Sequence, residues 1–197
     1  MDAVVKIQFV TNHYRKVWEI EDVLPWVDQS KIALQELQDF DQLKVAKHKL
    51  AQAVAELPEG SSVMIDETGL YLEGLNGFPG PYVKWMVGVS GPETIYDILN
   101  RLGDRRARAK TVIGYQHPGH GPVFFESEMG GMIVPPSQEK GYGWDSIFQP
   151  HGFSETFAEM GLDHKKMITM RKTAAQKLRR YIERKGLAKD FEPLESS

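Results

Sequence analysis

Gly77-Phe78-Pro79-Gly80-Pro81-Tyr82-Val83-Lys84-Trp85 is the stretch from which the rest of the chain is read, ten residues beyond the acidic segment Asp66-Glu67-Thr68-Gly69. Two glycines and two prolines fix a sharp loop of low chain entropy, which delivers Lys84 beside the paired carboxylates of an acidic turn. Carboxylates bind hard divalent cations and lysines bind phosphates, so the pair points to a metal-assisted phosphate site. A Pro/Gly-rich loop after a strand is by itself only a turn. Its company decides the matter.

Upstream, Ser62-Val63-Met64-Ile65 reads as a strand running into the acidic turn, preceded by an amphipathic helix from Asp39. Leu43, Ala46, Leu50, Val54 and Leu57 share one face of that helix, and Pro58-Glu59-Gly60 stops it. Residues 4–10 alternate as a strand, Thr11-Asn12-His13 turns, residues 14–24 are helical through Val17, Ile20 and Leu24, and residues 32–34 form a short strand. Downstream come a helix over 93–102 and a hairpin of strands 109–116 and 123–129 around His117-Pro118-Gly119-His120-Gly121-Pro122. Met132-Ile133-Val134 extends the second strand past Gly130-Gly131, where a bulge would be natural. Residues 141–145 form a loop, Ile147-Phe148 a short strand, and residues 167–185 a closing helix with Met167, Met170, Ala174, Leu178 and Tyr181 on one stripe. Strands and helices that alternate before a hairpin predict a mixed α/β sheet. Residues 1–189 are expected to form one domain, followed by a disordered acidic tail over 190–197.

The 197 residues are 41% hydrophobic and 26% charged, which suits a soluble protein with a real core. A formal net charge of −3 argues against coating nucleic acid, so an anion site must be a local lysine cluster suited to a small phosphate ligand. Cysteine is absent, which removes thiolate nucleophiles, disulfides and Cys-ligated zinc. No apolar run reaches a membrane span and no signal-peptide pattern opens the chain; the expectation is a cytoplasmic protein with no membrane partner.

Four polar clusters sit at element ends. Thr11, His13 and Lys16 fall where a strand turns into a helix, a place suited to an anion and equally to an ordinary capped turn. Glu36, Asp66 and Glu67 could converge on a magnesium ion, with one acid activating a water for attack on phosphorus; adjacent acids are also common in plain turns. Lys47 flanks the apolar face of its helix and gains interest only in company with Lys16, Lys84, Lys165 and Arg171. Tyr142, Trp144 and Asp145 lie on a Gly-flanked loop that could stack on a base or fill a core corner.

Together these residues resemble the inosine triphosphate pyrophosphatase family, over residues 5–178. The strongest parts are Gly77 to Trp85, Gly143-Trp144-Asp145 with Phe148-Gln149-Pro150 and Gly152, and Phe157-Ala158-Glu159-Met160. The resemblance implies a curved central mixed sheet with two α/β lobes flanking a nucleotide-binding cleft, a homodimer, and Mg²⁺-dependent cleavage of a nucleoside triphosphate to monophosphate and pyrophosphate. It implies that Thr11, Lys16, Lys47, Lys84 and Lys165 contact the triphosphate and that Glu36 and Glu67 bind metal, with Glu67 and Asp66 the catalytic candidates. Tyr142 and Trp144, with Asp145, would form the base pocket, and Arg171 would grip the base edge or a phosphate.

Three features depart from the family pattern. Asn12 and His13 stand where the family turn has Gly and Asn, which could crowd a phosphate. Glu67 replaces an aspartate. Thr169-Met170-Arg171 replaces Ser-His-Arg, so the family histidine that helps read a keto purine is missing, and methionine offers at most a weak sulfur acceptor. The expected substrates are non-standard purines such as ITP, dITP or XTP. The alternatives are the same chemistry on a different base, or a nucleotide-binding sensor or partner subunit with little catalysis. His117 and His120 lack a third ligand nearby, and the arginines at 101, 105, 106 and 108 read as a solvated helix-end patch.

Overall fold

The computed structural model describes residues 6–139 and 141–191. Strands β1 (Ile7–Val10), β2 (Val27–Ser30), β3 (Ser62–Leu72), β4 (Pro79–Gly80), β5 (Arg106–Gln116), β6 (Val123–Ile133) and β7 (Phe148–Pro150) form one mixed sheet, ordered β2-β1-β3-β5-β6-β7 with β4 beside β3. β1 is parallel to β2 and β3; the remaining pairings are antiparallel. Helices α1 (Tyr14–Trp18), α2 (Gln42–Glu56), α3 (Val83–Leu102), α4 (Gly161–Ile168) and α5 (Met170–Arg184) cover it.

Three apolar clusters divide the sheet lengthwise. Side chains of β3 alternate between faces, so Met64 joins Ile7, Phe9, Ile113 and Leu178 under α5, while Val63 and Ile65 join Val10 and Leu50 under α2. Further along, Leu70 and Leu72 pack with Ile95, Leu99, Phe148 and Phe157 in a second lobe. The two lobes expected from the resemblance are these clusters, at opposite ends of the long strands.

Several boundaries differ from the sequence expectations. Asp66-Glu67-Thr68-Gly69 is not a turn; it lies inside the eleven-residue β3, whose pairing with β5 is continuous from Val63 to Leu72. β6 runs through Gly130-Gly131 without a bulge, in unbroken register with β5. The glycine there serves close approach: a Cβ on Gly131 would lie 2.5 Å from the Gln149 carbonyl oxygen of β7. The first helix ends at Trp18, and Ile20 and Val23 continue in tight i→i+3 turns that still bury Ile20 and Leu24. The short strand is β2, a polar stretch hard to read as a strand, whereas Ile32 and Leu34 pack on the α2 cluster as coil.

α2 starts at Gln42, because the Asp41 carboxylate accepts from the Leu43 and Lys44 amides at 2.9 and 3.2 Å. α3 begins at Val83 and is kinked at Gly91 (φ 77°) before Pro92. The closing helix is two helices divided at Thr169, whose side chain caps α5 through the Lys172 amide, and Met167 is exposed rather than on the apolar stripe. Two residues beyond the expected domain end at residue 189, Phe191 is buried and stacks on Trp26 at 5.6 Å. Residues 1–5, including the start of the first predicted strand, and 192–197 of the expected tail lie outside the described residues.

Candidate active site

The cleft follows from the pairing of β3. Along one edge, β1 pairs with Ser62 to Met64 and β4 with Leu70 and Tyr71. Between them the edge has no strand partner among the described residues, and a cavity of about 350 Å³ opens there, bounded by both lobes. That volume is within the range of small-ligand sites.

On the face under α5, a chain of alternating charges runs between the two apolar clusters. Asp66 accepts from Lys16 Nζ and Arg171 Nε, each at 2.9 Å. Arg171 also pairs with Glu19 through Nη1 and donates from Nη2 to Thr68 Oγ1 at 3.1 Å. Lys165 Nζ then links Glu19 Oε1 at 3.6 Å to Asp145 Oδ2 at 2.7 Å, and Asp145 Oδ2 accepts from the Tyr142 amide at 3.1 Å. Burial alone would raise the Asp66 carboxyl, but Lys16, Arg171 and Lys49 outweigh it and hold it far below the ordinary carboxylate value. Glu19 is likewise held down, against burial, by Arg171 and Lys165. Burial lowers the Lys16 ammonium, with Asp66 opposing.

On the opposite face, Glu67 Oε2 meets Lys49 Nζ of α2 at 2.9 Å, and the same ammonium donates to the Asp66 carbonyl. Burial works against the charge on Lys49, yet Glu67 and Asp66 raise its pKa. Gln42, buried, bonds the Glu67 and Lys110 carbonyls and the Tyr71 hydroxyl, bracing β3 where its side chains enter the cleft. At the rim, Lys84 pairs with Glu36 and lies 5.1 Å from the Trp85 ring centre.

Of the sequence-derived candidates, Thr11, His13, Lys16, Glu36, Glu67, Lys84, Tyr142, Trp144, Asp145, Lys165 and Arg171 all line this one cavity. Two expectations need correction. Lys47 is exposed and outside the lining; Lys49 takes the place imagined for it. The buried face of α2 is Gln42, Val45, Ala46, Leu50 and Ala53, rotated from the stripe read in the sequence, and Lys49 shares it. Asp66 is not in the lining either: it lies beneath the floor with both oxygens engaged, and alternation along β3 turns it away from Glu67. The three-carboxylate cluster of Glu36, Asp66 and Glu67 is therefore not assembled, and among the described residues no group of three His, Asp or Glu side chains has metal-site geometry.

Sequence reasoning missed Glu19, Lys49 and Gln42. Glu19 follows Lys16 by three residues, the spacing that puts two side chains on one helix face, and that signal was available.

On the side of the second lobe the cleft is apolar, with Val83, Val87, Trp144 and Met170. Trp144 is held edge-on against Phe148 at 5.3 Å. A sheet that opens between two cores onto paired lysines on one side and apolar and aromatic walls on the other defines an α/β protein built to hold an amphipathic polyanion. The chain matches the Ham1 family model over residues 7–181 and belongs to that family. It is 37% identical over 191 residues to the inosine triphosphate pyrophosphatase of Batrachochytrium dendrobatidis, covering 94% of this chain and 97% of that protein. It is 34% identical over 178 residues to the dITP/XTP pyrophosphatase of Methanopyrus kandleri, covering 88% and 94%. The fold matches the solved structure of the Staphylococcus aureus Ham1 protein with a TM-score of 0.75 at 25% identity, covering 91% and 99%.

Proposed function

We propose that this protein hydrolyses nucleoside triphosphates, non-standard purines such as ITP, dITP and XTP among them, to the monophosphate and pyrophosphate. The observation that carries this reading is the convergence of Lys16, Lys49, Lys84, Lys165 and Arg171 with Glu36 and Glu67 around one cavity whose far wall is apolar. The relatives named above act on the same substrate class.

The lysines would bind the polyphosphate and neutralise the charge that grows on the departing pyrophosphate, where preorganised electrostatics matter most. Each is held in place by a carboxylate, so little reorganisation is needed. Glu67 would orient the attacking water and accept its proton, and Trp144 and Tyr142 would bound the base. Arg171, fixed by Asp66, Glu19 and Thr68, keeps N–H groups for a base or phosphate oxygen.

Two carboxylates in a lysine-rich cleft fit Mg²⁺, which is usually bound by one or two acids together with substrate phosphates and water. Glu36 and Glu67 would hold it, and when bound it supplies further positive charge to the phosphates. Mg²⁺, the homodimer and a cytoplasmic location belong to this reading through the resemblance; among the described residues no helix is long and apolar enough to cross a membrane.

The test is pyrophosphate release with Mg²⁺ across ITP, XTP, their deoxy forms and the standard triphosphates. Selective turnover of the keto purines supports the full reading, and turnover of another nucleotide keeps the chemistry and changes the base. Tight binding with no turnover at any metal concentration would make the protein a nucleotide sensor.

A further inference from the structure

We propose that His13 is the conditional cation of the cleft: neutral in the free protein, it takes up a proton when a polyphosphate enters and returns it when the products leave. This rests on the polyphosphate assignment made above.

The lysines of the proposed phosphate site and Arg171 each have a carboxylate partner. Lys16 and Arg171 share Asp66, Lys49 has Glu67, Lys84 has Glu36, and Lys165 has Asp145 and Glu19. Such pairs hold the cations in position, yet each brings little net charge to meet a polyanion. Among the described lining residues, only His13 and Arg15 are basic groups with no carboxylate partner, and of these two side-chain types only imidazole is a switch near physiological pH. His13 is thus the one base whose charge can be added on demand.

Its setting suits that role. His13 Nε2 lies 2.9 Å from Tyr142 Oη, with the rings 5.0 Å apart, so the partner across the mouth of the cleft is a neutral phenol. Burial raises the Tyr142 pKa, which keeps that phenol protonated. The charged groups facing His13 come from four elements: Lys16 on α1, Lys49 on α2, Lys84 on α3 and Asp66 on β3. Burial and the three lysines disfavour an imidazolium, and Asp66 alone opposes them. An entering polyphosphate reverses the sign of the local field, which favours protonation. The phenol oxygen can accept as well as donate, so Tyr142 keeps the ring oriented in both states.

The linkage has a definite direction. Between the free and bound pKa values of His13, affinity falls by up to about tenfold per unit rise in pH and levels off beyond them. The probe is inorganic tripolyphosphate, which removes the base from the measurement. Calorimetric titration in two buffers of different ionisation enthalpy, near neutral pH, counts protons for wild type, His13→Asn and His13→Lys. The expected result is a proton uptake in wild type that exceeds the baseline shared by both variants, which reports the probe's own ionisation. Binding by His13→Asn should be weaker, and His13→Lys should recover affinity with only that baseline pH dependence. Equal proton uptake in wild type and His13→Asn, or parallel affinity–pH profiles, overturns the proposal alone. No binding of either tripolyphosphate or any nucleoside triphosphate by wild type overturns the phosphate assignment and this proposal with it.

Discussion

The Asp66 carboxylate holds the Arg171 guanidinium at 2.9 Å, and both groups are buried. With Lys16 on its other oxygen, Asp66 joins α1, β3 and α5 at the one level where the apolar clusters are interrupted. Removing one member of a buried charge network strands the others, at a cost of about 3–5 kcal/mol. Asp66→Asn is therefore expected to lower the thermal midpoint by on the order of 10 °C, measured by calorimetry or circular dichroism. A variant as stable as wild type that loses turnover alone would return Asp66 to the chemical step.

Acid should act through the same network. Asp66 and Glu19 titrate below their ordinary values in the folded protein, because their cations outweigh burial. In the unfolded chain they take protons near pH ~4, so between those limits the unfolded state binds more protons and stability rises with pH. Their contribution is complete above the unfolded values and is lost as pH falls toward the folded ones. Urea midpoints should drop through the ordinary carboxylate range, and less steeply in Asp66→Asn. Equal slopes in the two proteins would remove Asp66 as the source.

What the sequence made legible, and what it hid, divides along physical lines. Regular alternation and turn chemistry disclosed the mixed sheet, the β5–β6 hairpin and the segment before α3, because those signals are local. The acidic segment looked like a turn because Asp66, Glu67 and Gly69 are residue types depleted in strands; pairing with β5 on one edge overrides that preference. Most of the polar residues picked out by type and order along the chain line the one cavity. Lys49 was lost to Lys47 because a two-residue choice on a helix turns on the phase of its buried face, and partners elsewhere in the fold set that phase. Glu19 offered only its three-residue spacing from Lys16, because the partners that give it a role, Arg171 and Lys165, lie far along the chain.

The lysine correction is directly testable. Lys49 is partly buried beside Glu67, while Lys47 faces solvent. A hydrogen bond to a charged group contributes about 1.5–3 kcal/mol, so Lys49→Met should reduce kcat/KM for the triphosphate by about 10- to 100-fold. Lys47→Met should stay within about twofold of wild type, as expected for an exposed charge. A larger loss in Lys47→Met than in Lys49→Met would restore the reading taken from the sequence.

Glu67→Gln separates binding from chemistry. The substitution removes the carboxylate proposed to orient the water and also the counter-charge on Lys49 Nζ. Turnover should fall by about 10²–10⁴-fold, the usual worth of a positioned base. Tripolyphosphate affinity in the absence of metal should hold or improve, because Lys49 is freed for the anion. Full turnover in the variant would exclude Glu67 from the mechanism.

Met170 sets the last expectation. It is buried at the start of α5, lines the cleft next to Arg171, and belongs to the apolar cluster of the second lobe. A thioether gives the wall no donor for a purine 6-keto oxygen and no penalty against a 6-amino group. Discrimination between ITP and ATP then falls to Arg171 and backbone groups, and a site built to hydrogen-bond one substituent rejects its analogue more strongly than an apolar wall does. Met170→His should raise the ITP-to-ATP ratio of kcat/KM by about tenfold or more, with stability followed in parallel because a core contact is lost. A wild-type enzyme that already rejects ATP strongly, with a ratio unmoved by Met170→His, would show that the base is selected elsewhere in the cleft.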